Sequence, residues 1–432
     1  MNIMVIGSGG REHAIIKKLR ENPTVETIYA LPGNGGISRE AQCVPIPATD
    51  LGAIVEFAKT HQPDFTVVAP DDPLALGLVD RLHELGLACF GPTAAAARIE
   101  SSKSFAKALM HSHNIPTADY AVFDSKEEAR SYILAHPGPL VVKADGLALG
   151  KGVLVCDDQE QALAALEQIM GEKAFGSSGD RVVIEERLTG PEVSVLTFTD
   201  GKTIVPMLSS MDHKRALEGD QGLNTGGMGV IAPNPFYTPE IQAQCMEQIF
   251  LPTIRAMAEL GCPFQGCLYF GLMLTDAGPK VIEYNCRFGD PEAQAVLSLL
   301  ETDLLTIMQA VEAGRLDQVA IRFRPGASCC VMLVSAGYPQ AYQKGLPITD
   351  AFIDSPNLIV YHSGTKLDAE GNLLTNGGRV LGVTGLGEDL PQAVQRAYEA
   401  IRRIHFPNIY YRRDIGQKAL DVLEAQKASA NQ

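Results

Sequence analysis

The chain has 432 residues, too many for a single hydrophobic core, so we expect two to four domains. Hydrophobic residues make up 46% and charged residues 20%, as in ordinary soluble globular proteins. The 51 acidic residues outnumber the 36 Lys and Arg residues, giving a net charge of −15, and this excludes long nucleic acids as expected partners because their binding depends on neutralising phosphates.

The sequence shows no sign of membrane attachment or export. No apolar run approaches the ~20 residues needed to cross a bilayer, and the N-terminus lacks a basic leader followed by an apolar stretch. The nine cysteines are scattered without CxxC spacing, which argues against both a disulfide framework and a zinc site. We therefore expect a cytoplasmic protein that binds no membrane.

Strand-like and helix-like segments alternate in the first part of the chain, and this alternation predicts βαβ units and an open parallel sheet. The predicted strands are Asn2–Ile6, Thr27–Leu31, Phe65–Ala69 and Leu87–Phe90, and the helical segments between them are Arg11–Arg20, Leu51–Thr60 and Leu74–Leu85.

The rest of the chain divides into two further regions. A predicted polar helix, Ser101–Ser112, leads into a compact α+β module, and strands then dominate up to Glu283 around one long helix, Thr238–Leu260. After about Arg324 the pattern changes, which predicts a smaller C-terminal domain. The elements predicted in these regions also include strands Pro139–Ala144, Val153–Cys156, Arg181–Glu185, Ser328–Ser335 and Gly378–Thr384, and helices Gln159–Met170 and Leu390–Ile404.

The first motif is GSGGREH at 7–13, a glycine turn between a strand and a helix. Such a turn lets the backbone approach a phosphate, and the helix N-terminus supplies amide donors with a favourable dipole. Glu12 occupies the third glycine position of the GxGxxG fingerprint, which disfavours a dinucleotide site. A phosphate-bearing ligand and a purely structural turn both remain open.

The second motif is KADGLALGKGV at 143–153, in which a lysine ends one strand and a glycine-rich loop leads to the next. This arrangement suits a flexible flap over a triphosphate, with Lys143 as a fixed cation and loop amides as donors. It lacks the GxxxxGK[ST] spacing of a Walker loop. An ordinary hairpin with solvated lysines is the alternative.

Two further strand ends carry polar side chains. The segment VIEERL at 183–188, followed by Glu192, is suited to adenine through its backbone and to ribose through Glu192, although a plain charged strand end is the alternative. In EYNCRFGDPE at 283–292, residues two apart share a face of the strand, so Glu283, Asn285 and Arg287 are expected to face one cleft. A carboxylate with an amide oxygen suits Mg²⁺, and an arginine beside them suits a phosphoryl group in transfer.

Taken in order, these segments resemble the phosphoribosylamine–glycine ligase family of the ATP-grasp superfamily, from Met1 to about Ala419. The resemblance implies an α/β and α+β multidomain ATP-grasp fold. Its domains would be an N-terminal open parallel-sheet domain at 1–101, an ATP-grasp region at 102–325 with a lid subdomain at about 118–190, and a small C-terminal α+β domain at 326–425. Other segments that carry it are PGNG at 32–35, SKSF at 102–105, DHKR at 212–215, NTGGMG at 224–229, HSGT at 362–365 and NGGRV at 376–380.

The resemblance also implies roles for individual residues. The ATP site would contain Lys103, Lys143, Gly150, Lys151, Gly152, Glu185, Glu186, Leu188 and Glu192. Glu283 and Asn285 would hold Mg²⁺ or Mn²⁺, while Arg287, Lys143 and Asp212 would be catalytic, with Asp212 near glycine's ammonium or the attacking amine. The substrate pocket would contain Gly9, Gly10, Arg11, Glu12, Asp71, Lys214, Asn224, Thr225, Gly226 and Gly227.

Two residues depart from the family's usual sequence, and one segment departs from that of the wider superfamily. Asp71 stands where many family members have glutamate, and Leu223 stands where proline is usual. The segment YFGL at 269–272 lacks the second metal carboxylate common in the wider superfamily, as is usual in this family. The shorter Asp71 would change reach in the substrate pocket.

The implied reaction joins glycine to 5-phosphoribosylamine with ATP in purine biosynthesis, through glycyl phosphate. Small molecules would be the only partners, and we expect a monomer or weak dimer. Three alternatives remain: another ATP-grasp carboxylate–amine ligase or a carboxylase, a nicotinamide-dependent oxidoreductase, and a catalytically inactive ATP-binding regulator. The segments DHKR and NTGGMG favour the glycine ligase over the first alternative because they lie outside the nucleotide motifs.

Overall fold

The structure, a computed structural model, describes residues 1–148 and 151–430. Its N-terminal part is a parallel sheet with the strand order β3-β2-β1-β4-β5 and helices packed around it. The strands are β1 (Asn2–Gly7), β2 (Thr27–Pro32), β3 (Gln42–Cys43), β4 (Phe65–Val68) and β5 (Cys89–Phe90), and the helices are α1 (Gly10–Arg20), α2 (Leu51–His61), α3 (Asp71–Ala75), α4 (Leu78–Glu84) and α5 (Ala94–Ser101).

The central strand of this sheet is apolar along its length. Ile3, Met4, Val5 and Ile6 are all fully buried, because helices cover both faces of a parallel sheet and leave no polar side for alternate residues. The predicted alternation of strands and helices is therefore confirmed in this region.

Two predicted helices are interrupted, and each interruption has a local cause. The predicted helix Ser101–Ser112 breaks at Ser102, which has extended angles (φ −141°, ψ 106°) and accepts a hydrogen bond from the Phe105 N–H at 3.2 Å as the N-cap of α6 (Lys103–Ser112). The predicted helical segment Leu74–Leu85 is divided between α3 and α4 by Gly77, whose φ is +82°. Both breaks use residue types that favour helix ends.

A small antiparallel sheet with the order β6-β9-β7-β8 follows α6 and encloses its own apolar core. Two of its strands, β7 and β9, carry the lysine and glutamate motifs predicted from the sequence. The elements are β6 (Tyr120–Phe123), α7 (Lys126–Ala135), β7 (Leu140–Ala144), β8 (Val153–Cys156), α8 (Gln159–Leu166) and β9 (Val182–Glu186).

The middle of the chain contributes most of a large antiparallel sheet. The predicted long helix Thr238–Leu260 is continuous but contains a π-helical turn, Met246–Phe250, between α9 and α10. The elements are β10 (Glu192–Asp200), β11 (Ile204–Asp212), β12 (Arg215–Leu217), β13 (Gln221–Asn224), β14 (Gly229–Ala232), α9 (Pro239–Cys245), α10 (Leu251–Glu259), β15 (Gln265–Thr275), β16 (Gly278–Asn285), α11 (Glu292–Val296) and α12 (Leu304–Glu312).

The C-terminal strands extend this same sheet. Its order is β16-β15-β10-β11-β14-β17-β21-β18, so the predicted C-terminal region shares a sheet with the middle region through the β14–β17 pair. The boundary near residue 325 stays a prediction. The elements are β17 (Ala327–Ser335), β18 (Leu358–His362), β19 (Thr365–Leu367), β20 (Leu373–Thr375), β21 (Arg379–Gly387), α13 (Leu390–Ile401), β22 (Ile409–Tyr410) and α14 (Gln417–Ala430).

Over the described ranges, no helix is both long enough and apolar enough to cross a membrane.

Candidate active site

A cavity of about 1050 Å³ lies between the small sheet, the large sheet and α6. Most of the sequence-predicted site residues form its walls, but Gly9, Gly10, Glu12 and Gly227 do not, and Gly150 lies outside the described residues. The predicted residues in the walls are Arg11, Asp71, Lys103, Lys143, Lys151, Gly152, Glu185, Glu186, Leu188, Glu192, Asp212, Lys214, Asn224, Thr225, Gly226, Glu283, Asn285 and Arg287.

Lys143, near the end of β7, connects the small sheet to the large one. Its Nζ lies 2.8 Å from Glu185 Oε1 on β9 and donates a hydrogen bond to the Ile282 carbonyl at 3.0 Å. That carbonyl is available because the β15–β16 pairing shifts register, with Gly271 opposite Glu283 and Leu272 opposite Val281, which leaves Ile282 as the extra residue of a bulge. The bulge therefore helps to fix Lys143 against the cavity wall.

Lys103, the first residue of α6, provides a second cation. Its backbone N–H donates to the Asp145 carbonyl at 3.0 Å, and its Nζ donates to the Gly146 carbonyl at 3.0 Å. Burial and the neighbouring Lys143 lower the pKa of Lys103. An anion bound between the two ammonium groups would relieve the repulsion between them.

Lys107, one turn further along α6, was missed by the sequence analysis. Its Nζ lies 3.1 Å from Glu185 Oε2, so Glu185 is held between Lys107 and Lys143. Burial lowers the pKa of Lys107 to about 8, although Glu185 opposes the shift. Lys107 lies four residues after Lys103 and therefore on the same face of the helix. This spacing could have identified Lys107 as a site residue from the sequence.

Lys214 lies between two predicted ligand-binding carboxylates. Its Nζ is 3.2 Å from Glu192 Oε2 and 3.3 Å from Glu283 Oε1. The Lys214 ammonium lowers the pKa of Glu283, so this carboxylate stays ionised. Lys214 was predicted to belong to the glycine and phosphoribosylamine pocket, whereas its contacts are with Glu192 and Glu283, the residues predicted to bind ribose and metal.

Glu283 and Asn285 supply oxygen donors of the kind that a divalent cation needs. Both line the cavity from the same strand, β16. In the part of the chain that the structure describes, no group of three or more His, Cys, Asp and Glu side chains is arranged to hold a metal ion. A carboxylate with one amide oxygen fits Mg²⁺, which keeps several waters and shares phosphate oxygens with its substrate.

Arg287 is partly buried and lies close to two carboxylates. Its guanidinium lies 2.9 Å from Glu100 and 3.8 Å from Asp71. Burial alone would lower the pKa of Arg287, but Glu100 and Asp71 overcome it and raise the value. Glu100 also accepts the Cys286 N–H at 2.6 Å, so it fixes both the backbone and the side chain at this point.

The NTGGMG segment is held from the C-terminal part of the chain. The Gly226 N–H donates to the Tyr338 hydroxyl at 3.0 Å, and Arg379 donates to the Gly226 carbonyl. Arg379 also lies 3.3 Å from Asp290 in the EYNCRFGDPE segment. Both Tyr338 and Arg379 line the cavity, so the C-terminal residues contribute to the site directly.

Two backbone N–H groups of the glycine turn at the start of α1 already donate hydrogen bonds to carboxylates of the protein. Its Gly9 N–H donates to Glu12, and the Arg11 N–H donates to Asp290 at 3.2 Å. Arg11 reaches the cavity wall, whereas the helix start itself does not. The phosphate role inferred for this turn stays a prediction, and its visible role is to join the N-terminal domain to the 283–292 segment.

Asp212 and Glu292 both line the cavity, and Asp212 lies next to Gly227 of the NTGGMG segment. Burial, together with repulsion from Glu292, raises the pKa of Asp212 well above its usual range. Burial likewise raises the pKa of Glu292. Glu292 was not singled out from the sequence, although it ends the motif that supplies Glu283, Asn285 and Arg287.

The other site residues that were not predicted differ in whether the sequence alone could have identified them. Arg379 and Asp290 stand inside segments already recognised as family-specific, so they were accessible in principle. Glu100 stands outside those segments, and only its contact with Arg287 across 187 positions assigns it to the site.

Family models match nearly the whole chain. They are the phosphoribosylglycinamide synthetase N domain at residues 1–100, the ATP-grasp (A) domain at 101–293 and the C domain at 328–418. The chain belongs to the phosphoribosylglycinamide synthetase family. This family assignment confirms the resemblance inferred from the motifs.

Individual relatives agree with the family assignment. The chain is 46% identical to a phosphoribosylamine–glycine ligase of Vibrio vulnificus strain CMCP6 over 431 residues, covering 99% of this chain and 100% of the relative. It is also 46% identical to one from Rhodopirellula baltica, covering 97% of this chain and 98% of the relative. Both matches span essentially full-length proteins.

Solved structures confirm the ATP-grasp fold. The crystal structure of a phosphoribosylamine–glycine ligase from Thermotoga maritima matches with a TM-score of 0.84 and 34% identity, covering 96% of this chain and 100% of that one. The biotin carboxylase domain of the Hydrogenobacter thermophilus 2-oxoglutarate carboxylase matches with a TM-score of 0.74 at 16% identity, covering 95% and 91%. The second match bears on the fold alone.

Proposed function

We propose that this chain joins glycine to 5-phosphoribosylamine at the expense of ATP, giving glycinamide ribonucleotide, ADP and phosphate in purine biosynthesis. Membership of the family supports the overall reaction. The observation that carries the assignment to residues is the single cavity in which Lys143, Glu283 and Arg287 stand on walls shared with Asp212.

The first step is in-line attack of glycine's carboxylate on the γ-phosphorus of ATP. A carboxylate is too poor an electrophile for direct amide formation, and this step converts it to glycyl phosphate and releases ADP. Lys103 and Lys143 hold the phosphates, while Arg287 neutralises charge on the phosphoryl group in transfer. Mg²⁺ or Mn²⁺ held by Glu283 and Asn285 would supply further charge neutralisation at the phosphates.

The second step is attack of the amine of phosphoribosylamine on the acyl carbon, with phosphate as the leaving group. Positioning of the two reactants supplies much of the rate enhancement in such a step. The loop that includes Lys151 and Gly152 would cover the site and keep water from the acyl phosphate. Glu185, Glu186 and Leu188 would hold adenine, and Glu192 would contact the ribose.

The proposed pocket for phosphoribosylamine and glycine uses further residues of the same cavity. Arg11, Asp71, Asn224, Thr225 and Gly226 line the same cavity and would form this pocket. The predicted contributions of Gly9, Gly10, Glu12 and Gly227 would be indirect, through the turn and loop that shape this wall. The contacts of Lys214 with Glu192 and Glu283 favour a place for it beside the nucleotide phosphates.

The direct test is ADP formation with Mg²⁺, measured with both substrates and with each one omitted, while the product mass is determined in the same reaction. ADP together with glycinamide ribonucleotide, lost when either substrate is absent, is the expected result. ADP formation with a different acid or amine would overturn the substrate assignment. Glu283→Ala and Arg287→Ala should each slow turnover at least ~10²-fold, the scale for lost preorganised electrostatic contacts.

A further inference from the structure

Glu185 is a carboxylate enclosed by two lysines. Its Oε1 lies 2.8 Å from the Lys143 Nζ, and its Oε2 lies 3.1 Å from the Lys107 Nζ. The side chains of Lys107 and Glu185 are each 3% exposed and that of Lys143 is 8% exposed, so water and salt screen these charges poorly. Burial lowers the pKa of Lys107 only to about 8, which leaves it mostly protonated at neutral pH. The three groups therefore carry one net positive charge.

The Lys107 ammonium directs its donors at the protein. Its Nζ donates to the Thr117 Oγ1 at 2.8 Å and to the Ala118 carbonyl at 3.3 Å, and the Glu185 carboxylate takes the third contact. An ammonium has three donors, so none is left for a bound nucleotide. Although Lys107 lines the cavity, it can therefore act on ATP only through the residues that it contacts.

A second chain of contacts runs from Lys107 to the bulge of β16. The Thr117 hydroxyl accepts from Lys107 and donates to the Val281 carbonyl at 2.7 Å. The next carbonyl along the strand, that of Ile282, accepts from Lys143 at 3.0 Å. Lys107 is therefore connected to Lys143 by this route as well as through the shared carboxylate.

Lys143 differs from Lys107 because it keeps a donor for a ligand. Among the described residues, its ammonium contacts the Ile282 carbonyl and the Glu185 carboxylate. These contacts leave one of its three donors for a phosphate oxygen in the cavity that it lines.

We propose that Lys107 is a positioning residue that keeps Lys143 available to the phosphates of ATP by sharing the charge of Glu185, an assignment that rests on the proposed function. With both lysines present, the carboxylate cancels one of two positive charges and the other remains for the triphosphate. Without Lys107, the buried carboxylate would be compensated by Lys143 alone, and this pair would offer no net charge to the nucleotide. The effect concerns the phosphates, because adenine and ribose carry no charge.

The test measures the binding of ATP with Mg²⁺ by calorimetry, in the absence of glycine and phosphoribosylamine. Lys107→Met should raise the Kd for ATP at least ~10-fold, the scale for a lost contact between charged groups. The Kd for adenosine, which has no phosphates, should stay within about 2-fold of the wild-type value because no charged contact to it is lost. The exposed Lys59→Met variant is the control and should bind both ligands as the wild type does.

A double variant separates charge compensation from a merely structural role of Lys107. Glu185→Gln removes the charge that Lys107 compensates, so adding it to Lys107→Met should tighten ATP binding at least ~5-fold relative to Lys107→Met alone. A double variant that binds ATP as weakly as Lys107→Met would overturn the inference. Equal weakening of adenosine and ATP by Lys107→Met would overturn it as well.

Glu185→Gln by itself should act in the opposite direction, and it carries the test if Lys107→Met does not fold. Removing the carboxylate charge raises the net positive charge of the group, so the Kd for ATP should fall at least ~3-fold through stronger attraction of the anion. An equal or higher Kd would contradict the proposal. Failure of the proposed function would look different, because the wild type would then form no glycinamide ribonucleotide, whatever the ratios of these binding constants.

Discussion

The Arg287 guanidinium lies 2.9 Å from the Glu100 carboxylate, and this partly buried pair joins the segment after β16 to helix α5. Glu100 is two residues before Ser102, the N-cap of the helix that begins with Lys103. The pair therefore connects the proposed phosphoryl-binding arginine to the proposed phosphate-binding lysine. A substitution that displaces Arg287 should therefore also alter the position of Lys103, and the reverse should hold.

Glu100→Gln should slow turnover while leaving ATP binding nearly intact. The amide oxygen would still accept the Cys286 N–H, but the guanidinium would lose its closest charge partner. We expect kcat to fall at least ~10-fold, as for a charged hydrogen bond of about 1.5–3 kcal/mol, with the KM for ATP within about 2-fold. The exposed Glu84→Gln variant is the control, and equal kcat values in steady-state assays would contradict the positioning role.

The buried Lys107 should make stability depend on alkaline pH. Its pKa is lowered by burial from 10.5 to about 8, so between these values the unfolded chain holds a proton that the folded chain has released. The contribution of this residue to the free energy of unfolding therefore rises with pH over that window, by at most about 1.4 kcal/mol per pH unit. Urea denaturation should show this rise in the wild type relative to Lys107→Met, and parallel pH profiles would count against it.

Arg379→Met should weaken binding of phosphoribosylamine in the proposed substrate pocket. The substitution keeps length but removes the contacts with Gly226 and Asp290. Asp290, whose side chain is only 12% exposed, would remain without its cation, which is the costly half of a broken ion pair. We expect the KM for phosphoribosylamine to rise at least ~10-fold while the KM for ATP stays near the wild-type value. The exposed Arg402→Met variant is the matched control, and a selective rise in the KM for ATP would contradict this placement.

Gly227→Ala should lower the stability of the protein through a steric clash as well as through backbone strain. Gly227 has φ +107°, and an added Cβ would approach Pro291 and Asp212 to within 3 Å. Gly219 also has a positive φ, +67°, but nothing within 4 Å of an added Cβ, so Gly219→Ala isolates the cost of the left-handed backbone. We expect Gly227→Ala to lose at least ~1 kcal/mol more stability than Gly219→Ala in thermal unfolding. Equal losses would show that the close packing is unimportant.

Much of the secondary structure could be predicted from the sequence because apolar runs, hydrophobic periodicity and helix caps act over short stretches of chain. Strand β1 and the alternation around it follow from continuous apolar runs. The period of two along β16 predicted that Glu283 and Asn285 share a face, and both line the cavity. Arg287 lines the same cavity from beyond the end of β16, so the strand predicted at this position is shorter than expected. The break at Ser102 had a readable cap signal that the sequence analysis did not use.

The features that sequence analysis missed depend on distant contacts. Glu100 meets Arg287 across 187 positions, and the β14–β17 pair joins regions that composition had separated. No local periodicity encodes either contact. The same holds for Glu292, which is ordinary in sequence and is distinguished only by its burial in the cavity wall.

The central claim, ligation through an acyl phosphate, is tested most directly by following the oxygens of glycine. The reaction is run with glycine labelled with ¹⁸O in its carboxylate, together with ATP, Mg²⁺ and phosphoribosylamine, and the phosphate formed is analysed by mass spectrometry. The mechanism predicts one labelled oxygen in each phosphate released, because the attacking carboxylate oxygen leaves with the phosphoryl group. Phosphate free of label, or no phosphate formed in the presence of glycine and phosphoribosylamine, would contradict it.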